Sequence, residues 1–170
     1  FSGGTYYYVP SSNQLSCWGL TSTLGMTEYE LSKLSDVSAI SSTQGLSCVV
    51  ETDTGTQYLL NGTSRVTIPT TYAINASTAP SSLQQLANKL PLRQTTLSRA
   101  IKQSSSAVVW YVESGVKKAI PTMKDLELLG IATVNIDVVK PGAAAAIPTS
   151  GIKLGVGQAA KDSGSGAIYI

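Results

Sequence analysis

Few residues in this chain could do acid–base or nucleophilic chemistry. It has ten carboxylates, no histidine and two cysteines. Without histidine, neither a Ser-His-Asp nor a Cys-His nucleophile can be assembled, and the commonest zinc ligand is missing. Two cysteines alone do not make a structural zinc site. The carboxylates that stand close together are Glu28 with Glu30 and Asp125 with Glu127. Glycoside hydrolysis needs two such groups facing each other across a cleft. These pairs fall instead in the first turns of predicted helices, where an acid favours the dipole and caps free N–H groups. Glu51 and Asp53 lie in a Ser/Thr-rich turn, with too few carboxylates nearby for the oxygens that calcium takes. The glycines of the stretch 151–157 are followed by no Lys-Ser/Thr, so they form no phosphate loop. The sequence predicts no enzyme, no metal and no cofactor.

The remaining candidates for recognition are aromatic. Sugars stack on exposed Tyr and Trp rings, which offer an apolar face and a polar tip. Tyr6 and Tyr8 fall on one face of a predicted strand, Tyr7 on the other. The face shared by Tyr58, Tyr111 and Tyr169 reads as core, because it recurs along the chain. Tyr7, Trp18, Tyr72 and Trp110 are then the candidates for a binding surface, the alternative being that they pack beneath neighbouring segments.

Composition points to the compartment. Charged residues make up 13% of the chain, about half the usual ~25%. Ser and Thr take their place, at 41 of 170 residues. A surface made soluble by hydroxyls is common in secreted and cell-surface proteins. In that setting Cys17 and Cys48 are expected to form a disulfide, the alternative being two buried thiols. Closing a loop of ~30 residues would contribute about 3–4 kcal/mol on the chain-entropy estimate. The net charge of +2 is too weak for nucleic acid or an acidic membrane. The adjacent pair Lys117-Lys118 reads as a solvated strand end. No stretch approaches the ~18 apolar residues of a membrane span, so no membrane insertion is expected. Phe1 to Gly4 carry no signal-peptide pattern, and the chain reads as a mature product or a segment of a longer protein. Asn61-Gly62-Thr63 and Asn75-Ala76-Ser77 match the glycosylation acceptor pattern, which matters only on a eukaryotic secretory route.

The elements that must position these residues are organised around Ala107 to Pro121. There an apolar run meets a turn at Glu113-Ser114-Gly115, and a second run stops at Pro121, as in a β-hairpin. Gly55 to Pro69 repeats the phrase around Asn61-Gly62, and Gly4 to Trp18 repeats it in degraded form. The first copy predicts strands at Thr5–Val9 and Gln14–Trp18, a helix over Glu28–Leu34 capped by Thr27, and a return strand from Gly45 to Val50. The second predicts a helix that opens at Ser81 or Ser82, presents Leu83, Leu86 and Leu90 and stops at Pro91. The third predicts a helix from Met123 to Leu129, boxed by Thr122 and Asp125 and ended by Gly130. Ile68-Pro69-Thr70 matches Ile120-Pro121-Thr122, Ala146-Ile147 matches Ala100-Ile101, and Leu129-Gly130-Ile131 matches Leu24-Gly25-Met26. Measured on Tyr8, Tyr58, Tyr111 and Tyr169, the spacings are 50, 53 and 58. Periods of this length indicate arrays whose units share a core.

The expected fold is α+β and mostly β: one compact domain of three tandem hairpin-plus-short-helix units at 1–54, 55–106 and 107–157. A linker and terminal strand occupy 158–170. That strand could close the set against Thr5–Val9 or open a further unit.

The phrases WYVESGVKKAIPTMKDLELLG and AAIPTSGIKL resemble a repeat of secreted cell-surface proteins of Gram-positive bacteria, especially actinobacteria. That repeat is often attached to peptidoglycan hydrolases or adhesins. The likeness is good over Val108–Leu154, fair over Gly55–Pro69 and weak elsewhere; the first unit lacks the Ile-Pro and the second the Leu-Gly. It implies a non-catalytic targeting or adhesion module that binds cell-wall polysaccharide or another surface glycan. The alternative is an assembly domain of a surface appendage, an S-layer or a phage-type fibre, whose partner is another protein or another copy.

Overall fold

The structure is a computed structural model, and it describes residues 12–20, 47–151, 160–161, 164–165 and 168–169. Tyr7, the strand expected at Thr5–Val9 and the helix expected at Glu28–Leu34 lie outside the described residues. The architecture is α+β: a three-stranded and a four-stranded sheet, a short two-stranded one, and short helices between them.

The first sheet is an antiparallel meander of β1 (Val49–Glu51), β2 (Gln57–Leu60) and β3 (Arg65–Ile68). Its second turn holds the Asn61-Gly62 pair. The chain then enters a 3-10 turn, Thr70–Tyr72, and the helix α2 (Ser81–Asn88). The second sheet contains β4 (Ala100–Gln103), β5 (Val109–Glu113) and β6 (Val116–Ile120), again antiparallel. After the helix α3 (Met123–Leu128), β7 (Asp137–Val139) joins β4 in parallel. The helix α4 (Pro141–Ala145) follows, with Pro at its first position. A last hairpin pairs β8 (Ala160–Lys161) with β9 (Ile168–Tyr169).

Several expectations are corrected. Gln14–Trp18 is no return strand: Ser12–Cys17 is a helix, α1, in which Cys17 is fully buried. Its Sγ lies 2.02 Å from that of Cys48 in a disulfide, tying the helix to the start of β1. In sequence, α1 follows Val9-Pro10-Ser11 and α3 follows Ile120-Pro121-Thr122. Pro80, rather than Ser81 or Ser82, is the N-cap of α2, and Ser81 is already helical. Thr122 and Asp125 do form the capping box on α3. Ala100-Ile101 opens a strand, whereas Ala146-Ile147 follows the end of α4, so these two pairs do not correspond. The terminal strand finds its partner inside the expected linker, in β8.

The tyrosine register also shifts by one. Tyr58 pairs with Thr67 and Trp110 with Ala119, while Gln57↔Ile68 and Val109↔Ile120 end the two hairpins alike. Trp110 therefore stands where Tyr58 stands, and Tyr111 faces the opposite side of its sheet.

Most of the buried apolar side chains form one cluster from Cys17 to Ile147, centred on Leu59, Leu60, Leu97 and Ile101. A smaller one unites Ala100, Val109, Ile120 and Leu126.

Candidate functional site

Three of the aromatic candidates, Trp18, Tyr72 and Trp110, lie among the described residues, and two of them are buried. Trp18 is 5% exposed and its Nε1–H donates to Ser47 O at 3.2 Å. Tyr72 is also 5% exposed, and its hydroxyl donates to Leu97 O at 2.6 Å. Burial raises its pKa, opposed by the guanidinium of Arg99, whose Cζ lies 5.0 Å from the ring centroid. Both rings are therefore core residues with satisfied polar tips, and the expectation of exposure is corrected. Trp110 is half-buried with Lys117 Nζ 5.5 Å from its ring centroid.

Lys117 overturns the reading of a solvated pair. Successive residues of β6 face opposite sides. Lys118 therefore reaches Glu113 on the surface at 2.7 Å, while Lys117 is 6% exposed. Its ammonium donates to Ala144 O at 2.6 Å, in the last turn of α4, and to Ile147 O just beyond it. A cation at a helix C-terminus meets the negative end of the dipole. Desolvation nonetheless lowers the lysine's pKa, since among the described residues it has no carboxylate partner.

Arg65 does the same work in the first sheet. Its Nη1 donates to Ala87 O at 3.1 Å and to Asn88 Oδ1 at the end of α2, and its Cζ lies 5.0 Å from the Tyr58 centroid. The backbone agrees. Arg65 N–H donates to Pro91 O and Arg93 N–H to Arg65 O, each at 2.9 Å. Lys117 N–H donates to Pro148 O at 2.8 Å and Ser150 N–H to Lys117 O at 2.9 Å. Each hairpin's second strand thus grips the Pro-containing segment that follows a short helix.

A second contact also occurs twice. Gly62, in the turn between β2 and β3, donates its N–H to Cys17 O at 2.6 Å. Gly115, in the turn between β5 and β6, donates to Tyr72 O at 2.7 Å. Both glycines have left-handed φ, +83° and +79°, and an added Cβ would stand 2.9 Å from Ser16 O and 2.8 Å from Ala73 O. Only glycine gives both the conformation and the approach. Each hairpin turn is seated on the end of the helical turn that precedes its sheet in the chain.

Acidic side chains are used locally. Asp137 takes both Arg93 nitrogens, at 2.6 and 2.8 Å, and the N–H of Ser98 at 2.7 Å. Glu51 accepts from Gln57 and Asp53 from Gln84. Asn61, in one glycosylation pattern, spends its amide on Val138 O and Lys140 N–H, whereas Asn75 in the other is exposed. A small cleft of about 190 Å³ between α1 and α4 is lined by Gln14, Ser47, Cys48 and Ala145, with no carboxylate, lysine or arginine among the described residues that line it. Among the described residues no group of three or more His, Cys, Asp or Glu could hold a metal. No helix there is long and apolar enough to cross a membrane. Comparison with protein-family models, with curated proteins and with solved structures gave no match.

The seats and grips were missed in the sequence because they join residues from different elements. One signal was present: Arg65 and Lys117 each precede an Ile-Pro by the same interval.

Proposed function

We propose that this chain is a non-catalytic structural module of a cell surface. It is a tandem array of hairpin-plus-helix units whose contacts with one another are its business. The observation that carries this reading is the seat made twice, by Gly62 on the end of α1 and by Gly115 on the 3-10 turn. Residues that would otherwise grip a ligand, among them Trp18, Tyr72, Arg65 and Lys117, are spent on contacts within single units, and the two glycine turns make the contacts between units. The glycan-binding reading has less support, because two of its four rings are buried. The disulfide and the hydroxyl-rich, charge-poor surface favour an oxidising, extracellular setting. The partners are other units of an appendage, a layer or a fibre.

Co-sedimentation of the purified protein with insoluble cell walls, run beside light scattering, tests this. The expected result is no pelleting above the background of an inert protein. A monodisperse monomer that pellets with the walls and is displaced by soluble wall polysaccharide would contradict it.

A further inference from the structure

The helices α1 and α3 end in the same way. In α1, Gly19 N–H donates to Ser16 O at 3.3 Å and Leu20 N–H to Leu15 O at 3.1 Å. In α3, Gly130 N–H donates to Glu127 O at 2.8 Å and Ile131 N–H to Leu126 O at 3.1 Å. Both glycines are left-handed, at +72° and +69°. This pair of bonds is the Schellman close of a helix. It makes Trp18-Gly19-Leu20, rather than Leu24-Gly25-Met26, the counterpart of Leu129-Gly130-Ile131. Cys17 and Leu128 are then equivalent last residues.

Their surroundings differ. Cys17 is fully buried, and the turn carrying Gly62 covers its carbonyl. Leu128 is 57% exposed. A Cβ added to Gly19 would meet Gly62 O at 2.2 Å, whereas one added to Gly130 would meet nothing within 4 Å. Among the described residues one helix end is occupied and its twin is open. The intermediate case, the 3-10 turn that ends in Tyr72, is occupied by the turn of Gly115. The two occupied ends say what fits the open one: the backbone N–H of a left-handed glycine in a β-hairpin turn.

We propose that the C-terminal end of α3, at Leu128 to Gly130, is the docking seat for the glycine turn of a hairpin from a further unit of this architecture. The hairpin of β8 and β9 has the register with which such a unit opens. Lys161↔Ile168 and Ala160↔Tyr169 repeat Lys102↔Val109 and Ile101↔Trp110, with the same number of residues between the strands. The seat rests on the structural reading above and names the partner that reading leaves general.

The test is titration of the ¹⁵N-labelled chain with a disulfide-closed hairpin peptide carrying the sequence of Trp110–Ala119, followed by amide chemical shifts. Saturable shifts confined to Leu128, Leu129, Gly130 and their neighbours are expected. A peptide with Gly115→Ala should bind at least about tenfold more weakly, the equivalent of one good hydrogen bond. Leu128→Asp, at an exposed position, should abolish the shifts and leave the rest of the spectrum in place. No shifts at about 1 mM peptide, or shifts centred elsewhere, would overturn the proposal. So would concentration-dependent shifts at Leu128 without peptide, which would make a second copy the occupant. Wall pelleting would contradict the structural reading whatever the peptide does, whereas a silent peptide contradicts only the seat.

Discussion

Replacing Gly19 and Gly130 separately by alanine measures the turn seat against an internal reference. Both positions hold left-handed φ within the same helix close. Alanine pays ~1–2 kcal/mol for that conformation at either site. At Gly130 this is the whole effect, because the new methyl enters open space. At Gly19 the methyl would stand 2.2 Å from Gly62 O and 3.3 Å from its carbon, so the turn must retreat. Its retreat gives up the Gly62 N–H bond to Cys17 O, worth ~1 kcal/mol, and strains a packed contact by a further ~1–3 kcal/mol. Gly19→Ala should therefore destabilise by ~3–6 kcal/mol and Gly130→Ala by ~1–2 kcal/mol. Urea unfolding of the oxidised proteins, followed by the fluorescence of Trp18 and Trp110, gives both values. Equal losses within ~0.5 kcal/mol would refute the reasoning, because the only difference drawn between the sites is the seated turn.

Lys117→Met should change the alkaline limb of the stability curve. The folded pKa of Lys117 lies below 10.5, so between the two values the unfolded chain binds more protons and this group's contribution to stability rises with pH. Tyr72, whose folded pKa is raised above 10.0, acts in the opposite sense. The wild type minus Lys117→Met difference isolates the lysine; a difference that is flat or falling as the pH rises to 10.5 would contradict the lowering by burial. Cys17→Ser with Cys48→Ser should lower unfolding stability by about 3–4 kcal/mol, measured in urea, on the chain-entropy estimate. Tyr72→Phe, which leaves Leu97 O without its donor, should cost about 1–2 kcal/mol in the same assay, and a neutral result would place the hydroxyl in solvent.

Much of this fold was legible because its signals are local. Asn61-Gly62 and Ser114-Gly115 between β-prone runs specify hairpins by turn chemistry. Thr122 and Asp125 specify a helix start within three residues. The disulfide followed from composition and an even cysteine count. The elements that were not legible draw on tertiary contacts. β4 has two apolar residues and β7 lies parallel to it, a pairing that leaves no turn signal. α4 is Pro-Gly-Ala-Ala-Ala, with Gly142 packed so close to Asn13 O that a Cβ would stand 2.0 Å away. α1 was read as a strand because Gly4 to Trp18 was taken as a degraded copy of the hairpin phrase, and so weak a likeness does not exclude a helix in a run as short as Gln14–Trp18. The burial of Trp18 and Tyr72 was hidden for a related reason. Tyr and Trp tips can be satisfied by backbone carbonyls as readily as by water, and sequence does not say which.

Amide hydrogen exchange at Gly62 and Gly115 tests the central claim most directly, because both lie in hairpin turns that would ordinarily exchange fast. If the turns are seated on the units before them, both amides are protected to the level of the neighbouring strands, and Gly19→Ala strips the protection from Gly62 alone. Exchange of either wild-type amide at the rate of an open turn would mean that the units are not joined there, and the account of the chain as a turn-on-helix array would fail.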